Sequence, residues 1–142
     1  MTINGKKDLA SVLRFGVEML SENDSILSPR LDAEILLCHL LKMERIDLVL
    51  KKDTVLSDEN VYAFRSFLKR RLHNEPVSYI TGEKEFMSLS FRVLPGILIP
   101  RPETELLVER IVEELKTHSA PRILDLCTGS GAIAISTAHY LK

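Results

Sequence analysis

The chain has 142 residues, 45% apolar and 27% charged, a composition that excludes a disordered tail or a fibre. Nineteen Lys and Arg stand against 20 Asp and Glu; divided at Gly82, the two parts carry 12 basic and 12 acidic residues, then 7 and 8. Neither part has the strong positive field of a nucleic-acid binder. Two cysteines, Cys38 and Cys127, are too few for a disulfide scaffold. No apolar run reaches the roughly 20 residues that span a bilayer, and no apolar secretion segment follows Met1. The expectation is a soluble, cytoplasmic chain.

From Lys6 to Leu20, residues Leu9, Val12, Leu13, Gly16, Val17 and Leu20 recur at helical spacing. Ser28-Pro29 supplies an N-cap side chain and a ring preset for the first helical position. Behind it Leu31, Ile35, Cys38 and Leu41 form a stripe that Leu36, Leu37 and Leu40 widen, as in the central helix of a small bundle. Asp47 to Leu50 adds a short helical piece. Ser57 caps a further helix in which Val61, Phe64, Leu68 and Leu72 share a side with Phe67, until Asn74-Glu75-Pro76 stops it. Residues 1–80 therefore read as an all-helical unit.

The period changes after Gly82. Leu89, Phe91 and Val93 alternate with Ser88, Ser90 and Arg92, predicting a half-buried strand over Phe86–Val93. Pro95-Gly96 predicts a turn and Ile97-Leu98-Ile99 a second strand, making 81–100 a β-hairpin linker. Pro100-Arg101-Pro102 delays helix until Glu103, after which Val108, Ile111, Val112 and Leu115 mark one. Arg122–Leu126 reads as a short strand, Cys127–Gly131 as a glycine turn, and Ala132 onward as a helix. The fold class expected is α+β: a helical bundle, a hairpin, and over 101–142 the opening of a Rossmann-like α/β domain.

Gly129-Ser130-Gly131-Ala132-Ile133-Ala134 fits G-x-G-x-x-A between a predicted strand and helix. Glycines there turn the backbone sharply and admit a ligand, and the helix start adds unpaired N–H groups. Asp125 lies four residues before the first glycine. A carboxylate at that point repels a pyrophosphate but can face the α-ammonium group of an amino acid, such as the methionine part of S-adenosylmethionine. It can equally cap the turn through backbone N–H groups. Charge alone favours the methyl donor over NAD.

Leu124–Ala134 resembles the first motif of class I S-adenosylmethionine-dependent methyltransferases. The rarer Leu98-Ile99-Pro100-Arg101-Pro102-Glu103-Thr104-Glu105, with Tyr79-Ile80-Thr81-Gly82 and Glu85-Phe86, resembles the HemK/PrmC family. That family methylates the side-chain amide of glutamine in peptide chain release factors, and it too begins with a helical domain and a hairpin. The resemblance implies S-adenosylmethionine as cofactor, held at Asp125, Cys127, Thr128, Gly129, Ser130, Gly131 and Thr104, with release factors as partners. Many members have glycine where this chain has Cys127, a substitution expected to be tolerated at negative φ. Arg101, Thr104 and Glu105 are placed beside the donor pocket by the resemblance; their residue types serve equally well as a stiffened helix entry, with Arg101 a structural ion-pair partner.

The family's Asn-Pro-Pro-Tyr motif is absent, and none of Asn4, Asn23, Asn60 or Asn74 precedes a proline. The reading is therefore the N-terminal part of a longer enzyme, with no catalytic residue of its own. The alternatives are a release-factor docking module without activity, another amide or amino methyltransferase of this class, and a nicotinamide-dependent enzyme. Lys69-Arg70-Arg71 with His73 reads as a solvated helix end, Phe64, Phe67 and Leu68 as core, and Cys38 as a small core residue. His39, His73, His118 and His139 share no metal-ligand spacing with either cysteine.

Overall fold

A computed structural model of the chain describes residues 7–141. It divides into two compact units between Thr81 and Gly82. The stretch of the first predicted helix at Lys6 lies outside the described residues.

The first unit is a bundle of α1 (Leu9–Leu20), α2 (Pro29–Leu41), α3 (Asp47–Leu50), α4 (Asp58–Leu72) and α5 (Val77–Thr81). Asp8 caps α1 by accepting from the Ser11 amide (2.8 Å), and Ser57 caps α4 by accepting from the Asn60 amide (3.2 Å). Ser28 stands at the N-cap of α2 with Pro29 behind it, but its side chain makes no capping bond. The stripes predicted on α1 and α4 are the buried ones: Leu9, Val12, Leu20, Phe64 and Leu68 have no exposed surface. On α2 the predicted stripe is met only in part: Cys38 is buried and Leu41 packs against the core, but the most buried positions lie to one side of it. Ala33, Leu36 and Leu37 are fully buried while Leu31 is 41% exposed, because α2 is contacted by α1, α4 and α5, and together these select the face that the spacing offers only as a widening.

The basic run at the end of α4 is not simply solvated. Arg71 donates to Asp32 of α2 (2.7 Å) with both side chains more than four-fifths buried, and Arg70 pairs with Glu75 (2.5 Å). These pairs tie the last turn of α4 to α2 and to the loop that Pro76 opens. Asn23 Nδ2 donates to the Leu72 carbonyl (3.0 Å), satisfying an acceptor that the helix end leaves open.

The second unit contains a two-stranded antiparallel hairpin, β1 (Glu83–Phe86) and β2 (Leu89–Arg92), then a 3-10 turn Pro102–Thr104, α6 (Glu105–Leu115) and α7 (Ala132–Tyr140). The hairpin lies inside the predicted linker but not where the prolines and glycines put it. It turns at Met87-Ser88, both left-handed (φ +51° and +55°), the conformation a two-residue hairpin loop needs and glycine or asparagine usually supplies. Pro95-Gly96 does form a turn, closed by Ile97 N–H to the Leu94 carbonyl (3.0 Å), yet the predicted second strand is not formed: Ile97–Ile99 is irregular. Helix begins at Glu105 rather than Glu103, since Pro102–Thr104 is wound more tightly.

Arg122–Leu126 is irregular, not a strand. Among the described residues the hairpin is the only sheet, so this segment has no neighbour to hydrogen-bond, and a strand exists only through its ladder. Leu124 and Leu126 are 80% and 77% exposed. No helix of the described residues is long and apolar enough to cross a membrane.

Candidate functional site

The glycine turn forms as the spacing predicts, even without its strand. Gly129 and Gly131 take φ +58° and +76°, and the Gly131 amide donates to the Thr128 carbonyl (2.9 Å) to close the bend. A side chain on Gly131 would lie 3.2 Å from Ile135 Cδ1, so glycine answers both the backbone angle and the crowding. Helix α7 starts from Gly131 with no side-chain cap, leaving its first amides directed at the mouth of the turn.

Asp125 and Thr128 are brought together: the Thr128 hydroxyl donates to Asp125 Oδ2 (2.8 Å). The carboxylate therefore braces the turn through a side chain rather than through backbone N–H groups. Oδ1 has no hydrogen-bond partner among the described residues. Ser130 is half-buried beside Gly131, and Cys127 is exposed. Cys127 departs from expectation in its backbone, which is left-handed at φ +62°, the conformation a glycine would adopt without penalty.

Thr104 is not joined to this turn. Its amide closes the 3-10 turn onto the Arg101 carbonyl (3.0 Å), and among the described residues no hydrogen bond links it to residues 125–131. Arg101 is exposed and makes no ion pair among the described residues, so its expected structural pairing is absent. Glu105 instead holds the hairpin, its Oε1 accepting from the Met87 amide (2.7 Å). Tyr140, which nothing in the spacing singled out, donates its hydroxyl to the Met87 carbonyl (2.8 Å). The backbone of Met87 in the hairpin turn is thus held at both its N–H and its carbonyl, once from the start of α6 and once from the end of α7.

Titratable groups shifted from their usual range lie elsewhere. Burial pushes the Cys38 thiol up, as for an inert core cysteine. Burial also raises Glu34, but hydrogen bonds from Arg30 and Arg45 outweigh it and hold the carboxyl below its usual range. No group of His, Cys, Asp and Glu among the described residues is arranged to hold a metal ion.

The donor set of the turn fits an amino-acid nucleoside better than a pyrophosphate. One carboxylate oxygen has no hydrogen-bond partner among the described residues, the helix start carries no side-chain cap, and bare glycine backbone lies between them.

The family model of the PrmC N-terminal domain matches residues 11–82, just over half the chain. The chain belongs to the PrmC N-terminal domain family. It is 49% identical over 111 residues to the release factor glutamine methyltransferase of Coxiella burnetii, covering 78% of this chain and 40% of that protein. The enzyme of the same name from Nitratidesulfovibrio vulgaris is 44% identical over 128 residues, covering 90% of this chain and 43% of the relative. That of Aliivibrio fischeri is 49% identical over 114 residues, covering 80% and 40%. This PrmC-family chain thus spans about two fifths of the length of the curated relatives it matches. The matched domain covers most of the helical bundle, whereas the glycine turn lies beyond it.

Proposed function

We propose that this chain is the docking and donor-binding part of an enzyme that methylates the side-chain amide nitrogen of glutamine in the Gly-Gly-Gln motif of peptide chain release factors. In this reading residues 1–80 dock the release factor, 81–100 link, and 101–142 open a Rossmann-like methyltransferase domain. The setting is the cytoplasm. The observation that carries it is the open Asp125 carboxylate oxygen beside Gly129 and Gly131, in a chain whose relatives are named release factor glutamine methyltransferases.

When bound, S-adenosylmethionine supplies an electrophilic sulfonium methyl group. Asp125 would hold the donor's ammonium group, its Oδ2 bonded to Thr128, which keeps the carboxylate from rotating away. Gly129 and Gly131 would let the backbone approach, and Cys127 and Ser130 would line the bend. Arg122–Leu126 becomes a strand once a neighbouring strand is supplied, and the outward Leu124 and Leu126 support this as apolar groups awaiting cover.

An amide nitrogen is a weak nucleophile because its lone pair is delocalised, so orientation is the credible catalytic tool. Acceptors for the two amide hydrogens come from the Asn-Pro-Pro-Tyr motif, which this chain does not contain, and no catalytic residue is assigned to it.

The test is a protein carrying this chain at the length of its relatives, incubated with donor and release factor. Expected is one added methyl on the release factor, lost when the Gly-Gly-Gln glutamine is changed. No methylation of any release factor, or methylation of another amide or amino acceptor alone, refutes the assignment. The absence of Asn-Pro-Pro-Tyr favours a second reading for the chain by itself: a docking module with no turnover, which activity of the chain alone would exclude.

A further inference from the structure

Two grooves of about 350 and 390 Å³ run along the α1–α2–α3 side of the first unit, and they share Arg30, Glu34 and Arg45. Leu13, Val17 and Val49 line one; Leu27 and Leu31 line the other. Leu27 is 92% exposed and Val49 67%, an unusual outlay of large apolar side chains for so small a unit. The charges between them are layered. The Glu34 carboxylate is only 10% exposed, beneath guanidiniums of Arg30 and Arg45 that are 80% and 61% exposed. Anything that lands on this ridge meets two cations, not the carboxylate that neutralises them from below. Arg14, exposed on the first groove's rim, adds a third with no ion pair among the described residues, against the exposed carboxylate of Glu18.

We infer that the α1–α2–α3 face is the surface on which the protein substrate docks, and that it receives a segment bearing apolar side chains beside carboxylates. This rests on the release-factor reading above and deepens it. The layered charge selects an acidic partner, and the two apolar grooves flanking it select a protein segment over a nucleic acid, whose phosphates would leave Leu27 and Val49 in water.

The experiment measures binding of purified release factor to the chain by calorimetry, for the wild type and for Val49→Asp, Leu27→Asp and Arg14→Glu. Tyr62→Asp, on the exposed side of α4, is the control. All four positions are exposed, and melting temperatures check that each variant folds. Expected are affinities at least about tenfold weaker for the three face variants, an unchanged affinity for Tyr62→Asp, and weakening with added salt. Wild-type binding that the three variants leave intact overturns this face while the release-factor reading stands. Failure of the wild type to bind any release factor overturns both. Capture of an RNA oligonucleotide lost on Arg14→Glu, or self-association lost on Val49→Asp, assigns the face to another occupant and overturns the proposal.

Discussion

The ring edge of Phe64 rests on the bare backbone of Gly16, so that a Cβ added at Gly16 would lie 2.7 Å from Cζ. Phe64 is fully buried and has nowhere to swing. This contact sets how closely α1 approaches α4, and a glycine in mid-helix is accepted for its sake.

Gly16→Ala is therefore expected to destabilise the bundle, although alanine is the better helix former. Overpacking costs about 1–3 kcal/mol against a propensity gain of about 1 kcal/mol. Urea unfolding should show a net loss of up to about 2 kcal/mol, and a gain in stability would show that the ring yields freely.

Glu34 gives the bundle an acid-sensitive term. Its folded pKa lies below the usual 4.5, so the paired carboxylate stabilises above that value and the contribution is lost as pH falls through the folded pKa. Glu75, held down by Arg70, acts in the same direction. The urea midpoint should drop on acidification below about pH 4.5, and more shallowly in Glu34→Gln. Identical slopes in both proteins would refute the role given to Glu34.

At the turn, Asp125→Asn separates charge from shape. Asparagine can still accept from the Thr128 hydroxyl, so the bend persists while the open oxygen loses its charge. Donor affinity should fall about tenfold to a hundredfold, a charged hydrogen bond being worth roughly 1.5–3 kcal/mol. Calorimetry with S-adenosylmethionine on the relative-length protein reads this directly, and equal affinities would reduce Asp125 to a turn brace.

Two left-handed residues invite glycine. Cys127→Gly and Ser88→Gly each relieve a cost of roughly 1–2 kcal/mol and return part of it as unfolded-state entropy. A gain of about 0.5–1 kcal/mol is expected for each, and a loss for Cys127→Val, by thermal melts of the chain. Stabilisation by valine would show that the backbone at 127 is not left-handed.

The clamp on the hairpin turn has its own readout. Glu105→Ala should free the Met87 amide to exchange with solvent, and Tyr140→Phe should cost about 1 kcal/mol by removing the donor to the Met87 carbonyl. Unchanged exchange at Met87 in Glu105→Ala would dismiss the clamp.

Much of this was legible along the chain. The stripes on α1 and α4, the cap at Ser57, the proline that opens α2, and the stop before Pro76 depend on neighbours three or four residues away, which a linear pattern records. The bend at Gly129 and Gly131 is equally local, because left-handed backbone there needs only the missing Cβ. What contacts decided is of another kind. The buried face of α2 was chosen by three partners, and the hairpin turned at Met87-Ser88, which carry no turn signature, because Glu105 and Tyr140 hold the Met87 backbone from 18 and 53 positions away. Arg122–Leu126 shows the same rule from the opposite side: its apolar residues specify a strand, but a strand is a relation between two segments, and one alone stays irregular.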